Sequence, residues 1–159
     1  DDNLLKDYYQ LYLSNYDKVL DNKSVVYKGV TDTLTQLQSI GVKLGLCTNK
    51  PEKQARELLQ RLGIIDFFKS SFIGSDTVGI AKPDPKPLLE AIDRLEKKPE
   101  DTFFVGDTNT DAEAAENAGV DFIFCEYGHG AEYKLAMGES ATIKIKTFAD
   151  LISIYEDKP

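Results

Sequence analysis

Between residues 42 and 126, short apolar stretches alternate with segments of helical periodicity, and this alternation constrains the fold more than any other feature of the chain. Val42 to Cys47 reads as a strand, Glu52 to Leu62 as a helix ended by Gly63, and Phe72-Ile73-Gly74 as a short strand. Pro87 to Lys97 then reads as a helix, Thr102 to Val105 as a strand, Asp111 to Ala118 as a helix ended by Gly119, and Phe122 to Glu126 as a strand. Three strand-helix alternations of this kind imply an α/β architecture, a doubly wound parallel sheet covered on both faces. Upstream, Leu4, Leu5, Tyr8, Leu11, Tyr12 and Tyr16 recur at helical spacing, so an amphipathic helix is expected from Asn3 to Leu20. Asp21-Asn22-Lys23-Ser24 is a break, Gly29 a hinge, and Thr31 to Ser39 a second helix closed by Gly41. The end, Thr142 to Lys158, reads as an Ile-rich strand and a short helix from Phe148 to Tyr155.

A chain of 159 residues, 42% of them hydrophobic, encloses one core. Nineteen basic against 27 acidic side chains give a formal charge of −8, which repels phosphate backbones and anionic lipid. General binding to nucleic acid or membrane is therefore excluded, and an anionic substrate needs a local positive site. No apolar run approaches the roughly 20 residues that span a bilayer, and Asp1-Asp2-Asn3 does not resemble a secretory signal, so a cytoplasmic protein is expected. Cys47 and Cys125 each fall within an expected strand and read as small buried hydrophobes rather than a disulfide or metal pair.

The residues able to do chemistry fall in the turns after those strands. In Phe103-Phe104-Val105-Gly106-Asp107-Thr108-Asn109-Thr110-Asp111, an apolar strand ends in a glycine turn that carries two carboxylates, Asp107 and Asp111. Hard cations take oxygen ligands, and open α/β sheets place ligands at the carboxyl ends of their strands, so the pair reads as a Mg²⁺ site. Asp111 could equally open the following helix as its N-cap. In Leu44-Gly45-Leu46-Cys47-Thr48-Asn49-Lys50-Pro51 a hydroxyl and several backbone N–H groups meet a helix start, a turn that can hold a phosphate, although a threonine there also serves as a simple cap. In Ala81-Lys82-Pro83-Asp84-Pro85-Lys86-Pro87 closely spaced prolines fix the backbone and hold Lys82 in a defined direction; a surface lysine in a Pro-rich turn is the plain alternative. Together, a hydroxyl after one strand, a lysine after the next and two carboxylates after the third form a phosphate-plus-metal constellation.

These residues resemble the haloacid dehalogenase-like hydrolases, most closely the phosphoglycolate phosphatase type, across residues 27 to 130. Thr48 matches the family's second motif, Lys82 the third, and Asp107 with Asp111 the fourth, in the family's order. The resemblance implies a Rossmann-like core over residues 27–159 preceded by a helical cap-domain remnant at residues 1–26. It also implies a Mg²⁺-dependent enzyme that hydrolyses a small phosphorylated metabolite, with 2-phosphoglycolate the family-level substrate, through an aspartyl-phosphate. Thr48, Asn49 and Lys50 would line the phosphate, Lys82 would neutralise charge on the phosphoryl group and nucleophile, and Asp107, helped by Asp111, would hold Mg²⁺.

The family opens with a strand followed by Asp-x-Asp-Gly-Thr, and no such run occurs in this sequence. Neither its nucleophile nor the acid-base residue two places on has a match. In the family that strand lies between those expected at Thr102–Val105 and Val42–Cys47. A chain missing this beginning would expose unpaired edges, lose stability or self-associate through them. Competing expectations are a phosphosugar mutase and a non-catalytic phosphate- or metal-binding domain of the same fold; motif order argues against a two-component receiver. His129, between Gly128 and Gly130, reads as a turn residue rather than a base, and Asp76 either matches an acidic position of the family or is a solvated turn carboxylate.

Overall fold

The computed structural model describes residues 24–128 and 143–156. The first helix, α1 (Val30–Ser39), starts at Gly29, whose φ of +83° is the left-handed conformation open to glycine, and it buries Thr33, Leu34 and Leu37 on one face. β1 (Leu46–Cys47) leads into α2 (Glu52–Arg61), then a 3₁₀ turn at Ile65–Phe68 and β2 (Phe72–Ile73). α3 (Lys86–Arg94), β3 (Phe103–Gly106), α4 (Asn109–Ala118) and β4 (Asp121–Cys125) follow, and β5 (Ile143–Ile145) and α5 (Asp150–Glu156) close the described chain.

All strand pairs are parallel. β1 pairs with β2, Leu46 opposite Phe72; β3 pairs with β4, Phe103 opposite Asp121; and β4 pairs with β5, Ile123 opposite Ile143. The central strand β4 explains the two-sided core, because successive side chains of a strand point to opposite faces. Phe122 and Phe124 pack with Leu88 and Ile92 of α3 and Ala112 and Ala115 of α4. Ile123 and Cys125 pack on the other face with Leu37 of α1, Ile145 and Leu151 of α5. Helices therefore cover both faces, as the alternating sequence requires. Among the described residues the strands form two blocks, β1-β2 and β3-β4-β5, so β1 and β3 are each paired on one side only.

The expected elements are present with shifted ends. The strand expected from Val42 is ordered as a ladder only at Leu46–Cys47, because its partner is short: the 3₁₀ turn delays β2 to Phe72. Val42 and Leu44 still pack into the core. The helix expected to reach Lys97 stops at Arg94, where Glu96 turns left-handed (φ +55°) and Lys97 N–H bonds back to the Ile92 carbonyl. The helix expected to begin at Asp111 begins at Asn109, with Thr108 as its N-cap. The amphipathic helix expected at Asn3 to Leu20, most of the cap segment at 1–26, and His129 lie outside the described residues. No helix among the described residues is long and apolar enough to cross a membrane.

Candidate active site

Three loops at the carboxyl ends of the strands meet at Lys82. Its Nζ donates to the Cys47 carbonyl at the end of β1 (2.8 Å) and to Asp111 Oδ1 in the first turn of α4 (2.7 Å), and it lies 5.0 Å from the centre of the Phe104 ring. A lysine reaches this position because its backbone is fixed. Asn49 Nδ2 donates to the Lys82 carbonyl and Asn49 Oδ1 accepts the Lys82 N–H, both at 2.9 Å, while Asn117 Nδ2 donates to the Pro83 carbonyl at 3.2 Å. The Lys82-Pro83 peptide is cis.

Asp111 is the hub of the loop after β3. Its Oδ2 accepts from the N–H of Asp107 (3.3 Å), the N–H of Thr108 (3.2 Å) and the Thr108 hydroxyl (2.7 Å), and the Asp111 N–H in turn donates to Thr108 Oγ1. This is a capping box: Thr108 is the cap and Asp111 stands three residues in. Gly106 makes the approach possible, since a Cβ there would lie 2.6 Å from Asp111 Cβ. Gly128, in the turn after β4, lies so close to Asp107 that a Cβ there would overlap its carboxylate.

In the loop after β1 the threonine is not the helix cap: Pro51 holds that position, and the Thr48 hydroxyl accepts from the Lys50 N–H (3.2 Å) while the Thr48 N–H bonds the Ile73 carbonyl. Asp76 is the group that caps α2, accepting the Glu52 N–H at 2.8 Å from the loop after β2, so it is more than a solvated carboxylate. Thr77 donates to Glu52 Oε2 (2.5 Å) and, with Arg56, holds the Glu52 carboxyl below its ordinary value. Burial pushes the Cys47 thiol up to about 11, against the lowering pull of Lys82.

Thus Lys82 and Asp111 touch, Asp107 and Thr108 are tied to Asp111, and Thr48 and Asn49 directly follow the carbonyl that holds the ammonium. The clamp of Asn49 on Lys82, 33 positions apart, and the closeness of Gly128 to Asp107 have no signal in residue spacing, which does not report contacts between separate loops. For a divalent ion the donor set after β3 is all oxygen: Asp107, Asp111, and Asn109 Oδ1, which is buried and accepts no hydrogen bond among the described residues. Oxygen donors fit a hard cation. Asp111 already accepts from Lys82, Asp107 and Thr108. The described residues gather no group of three or more His, Cys, Asp or Glu suited to a metal.

The chain is 38% identical over 143 residues to the phosphoglycolate phosphatase of Salmonella typhimurium, covering 90% of this chain and 56% of the relative. It is 40% identical over 116 residues to that of Rhodospirillum rubrum, covering 73% of this chain and 48% of the relative. It therefore spans about half the length of these curated relatives. A crystal structure described as a predicted phosphoglycolate phosphatase from Haemophilus somnus superposes with a TM-score of 0.86 at 28% identity, over 98% of this chain and 68% of that one. The sequence profile of the haloacid dehalogenase-like hydrolases matches residues 4–119, and the chain belongs to that family.

Proposed function

We propose that this chain carries the phosphate- and metal-gripping loops of a Mg²⁺-dependent phosphatase that acts on a small phosphomonoester of the phosphoglycolate type. The observation that carries the reading is the nearly buried Lys82 ammonium, held between the end of β1 and the loop after β3, where it can face a phosphoryl group from below. A fixed positive charge in a water-poor site stabilises the charge on a transferring phosphoryl group without reorganising. The net charge of −8 makes this local cation the more necessary.

The Thr48 hydroxyl and the Asn49 N–H would bind phosphoryl oxygens, since the N–H groups of Thr48, Lys50 and Glu52 bond Ile73, Thr48 and Asp76. Lys50 adds charge beside them, and Asn49 contributes through its N–H, because its side-chain amide is engaged with Lys82. Asp107 would hold Mg²⁺, and Asp111 orients both Asp107's backbone and Lys82. When bound, Mg²⁺ neutralises phosphoryl charge and orients the group. The nucleophilic aspartate would arrive on a strand seated between β1 and β3, the two strands left paired on one side among the described residues. Attack of its carboxylate on phosphorus would break the ester P–O bond, and the leaving alkoxide would take its proton from the carboxyl group of the acid-base residue two places further along that segment, which water later returns. Water then cleaves the aspartyl-phosphate, releasing inorganic phosphate and restoring the carboxylate.

Release of phosphate from p-nitrophenyl phosphate and 2-phosphoglycolate with Mg²⁺, by the full-length protein, tests this. Loss of turnover in Lys82→Ala and Asp107→Asn supports it, and unchanged rates in both variants sink it. Stabilisation by Mg²⁺ or inorganic phosphate with no turnover would instead mark a binding domain of the same fold.

A further inference from the structure

We infer that Asn49 is a positioning residue that acts through Lys82: Cys47 and Asn49, at the end of β1, grip this lysine at both ends and so lock the ammonium between the Cys47 carbonyl and Asp111 Oδ1. The inference rests on the phosphatase reading and assigns the Asn49 side chain a role other than contact with substrate. Three consecutive residues divide the task. The Cys47 carbonyl accepts from Nζ at one end of the lysine, and the Asn49 amide takes both the N–H and the carbonyl of its backbone at the other. Thr48 stands between them.

The arrangement answers a problem set by the side chain. A lysine carries a point charge on four flexible carbons and loses much rotamer freedom when it is held, so its charge is placed only as well as both of its ends are. Lys82 also sits in a loop, without a strand ladder to fix it. A primary amide suits this need, since it offers a donor and an acceptor in one plane and matches the two polar groups of a single peptide-linked residue. Asn117, from the end of α4, adds one bond to the next carbonyl, that of Pro83, and ties the same loop to the helix that carries Asp111. Both amides act on the loop's backbone. The lysine is thereby referenced to β1 and to α4, the two elements whose loops contact its ammonium.

The test compares Asn49→Ala, Asn49→Asp and Lys82→Arg in the full-length protein, with p-nitrophenyl phosphate and Mg²⁺, at a temperature where each variant is folded by circular dichroism. Misplacement of a catalytic group by about 1 Å costs roughly 100-fold, so Asn49→Ala should lower kcat by about 10- to 100-fold with a smaller change in KM. Asn49→Asp keeps the acceptor for the Lys82 N–H but sets an oxygen against its carbonyl, and kcat should fall likewise. In a Lys82→Arg background, where the lysine geometry is already lost, Asn49→Ala should cost much less than in the parent. A kcat within about twofold of the parent in both Asn49 variants, or an equal loss in both backgrounds, overturns the inference. If Lys82→Arg and Lys82→Ala are themselves as fast as the parent, the phosphatase reading fails first, which separates the two failures.

Discussion

Lys82 Nζ lies 2.7 Å from Asp111 Oδ1, and only 7% and 11% of the two side chains are exposed. An ion pair so far from solvent is costly to break from one side, because the surviving charge keeps its burial and loses its partner. Asp111→Asn should therefore lower the unfolding free energy by about 3 to 5 kcal/mol, and Lys82→Met by a similar amount, read as urea midpoints. The double variant Lys82→Met/Asp111→Asn should be less destabilised than the sum, by about 0.5 to 3 kcal/mol. Strict additivity would mean that the two groups do not depend on one another.

Gly128 tests the placement of Asp107. A methyl group there would overlap the Asp107 carboxylate, so Gly128→Ala has to push that side chain aside. Displacing a metal ligand or its support costs about 10- to 100-fold in metal affinity. The Mg²⁺ concentration for half-maximal activity should rise by that factor in Gly128→Ala while folding is retained. An unchanged Mg²⁺ requirement would show that Asp107 does not hold the ion.

The alternation of strands and helices was legible because β4 is buried on both faces and α3 repeats Leu88, Ala91 and Ile92 at helical spacing. Local signals of this kind live in one segment. The three loop motifs were legible for the same reason, and the Lys82 ammonium meets Asp111 and the Cys47 carbonyl, one residue before Thr48. What escaped was partner choice. Asp111 reads in sequence as a metal ligand or a cap, and only the folded loop shows it taking Lys82, Asp107 and Thr108 at once. The ends of β1 and α3 escaped too, since a short partner strand and a left-handed Glu96 set them, and neither follows from periodicity.

Cys47 gives a pH signature. Burial raises its thiol from 9.0 to about 11 in the folded chain, so the native state holds this proton more tightly than the unfolded state does. The contribution is intact below pH 9 and is lost as pH rises towards about 11, amounting to roughly 2 to 3 kcal/mol. Cys47→Ala should remove that part of the alkaline decline, seen as a shallower fall of melting temperature between pH 9 and 11 than in the parent. Parallel curves would show that another group causes it.

Thr108 joins the helix cap to the site. Its hydroxyl accepts the Asp111 N–H and donates to Asp111 Oδ2, so one oxygen both starts α4 and fixes the carboxylate that holds Lys82. Thr108→Ala removes both bonds and should cost about 1 to 2 kcal/mol, as loss of a helix cap does. Thr108→Ser keeps the hydroxyl and should cost far less. If the cap also orients the site, Thr108→Ala will lower kcat in the folded protein and Thr108→Ser will restore it. Equal kcat in the two variants, with the stability difference intact, would confine Thr108 to starting the helix.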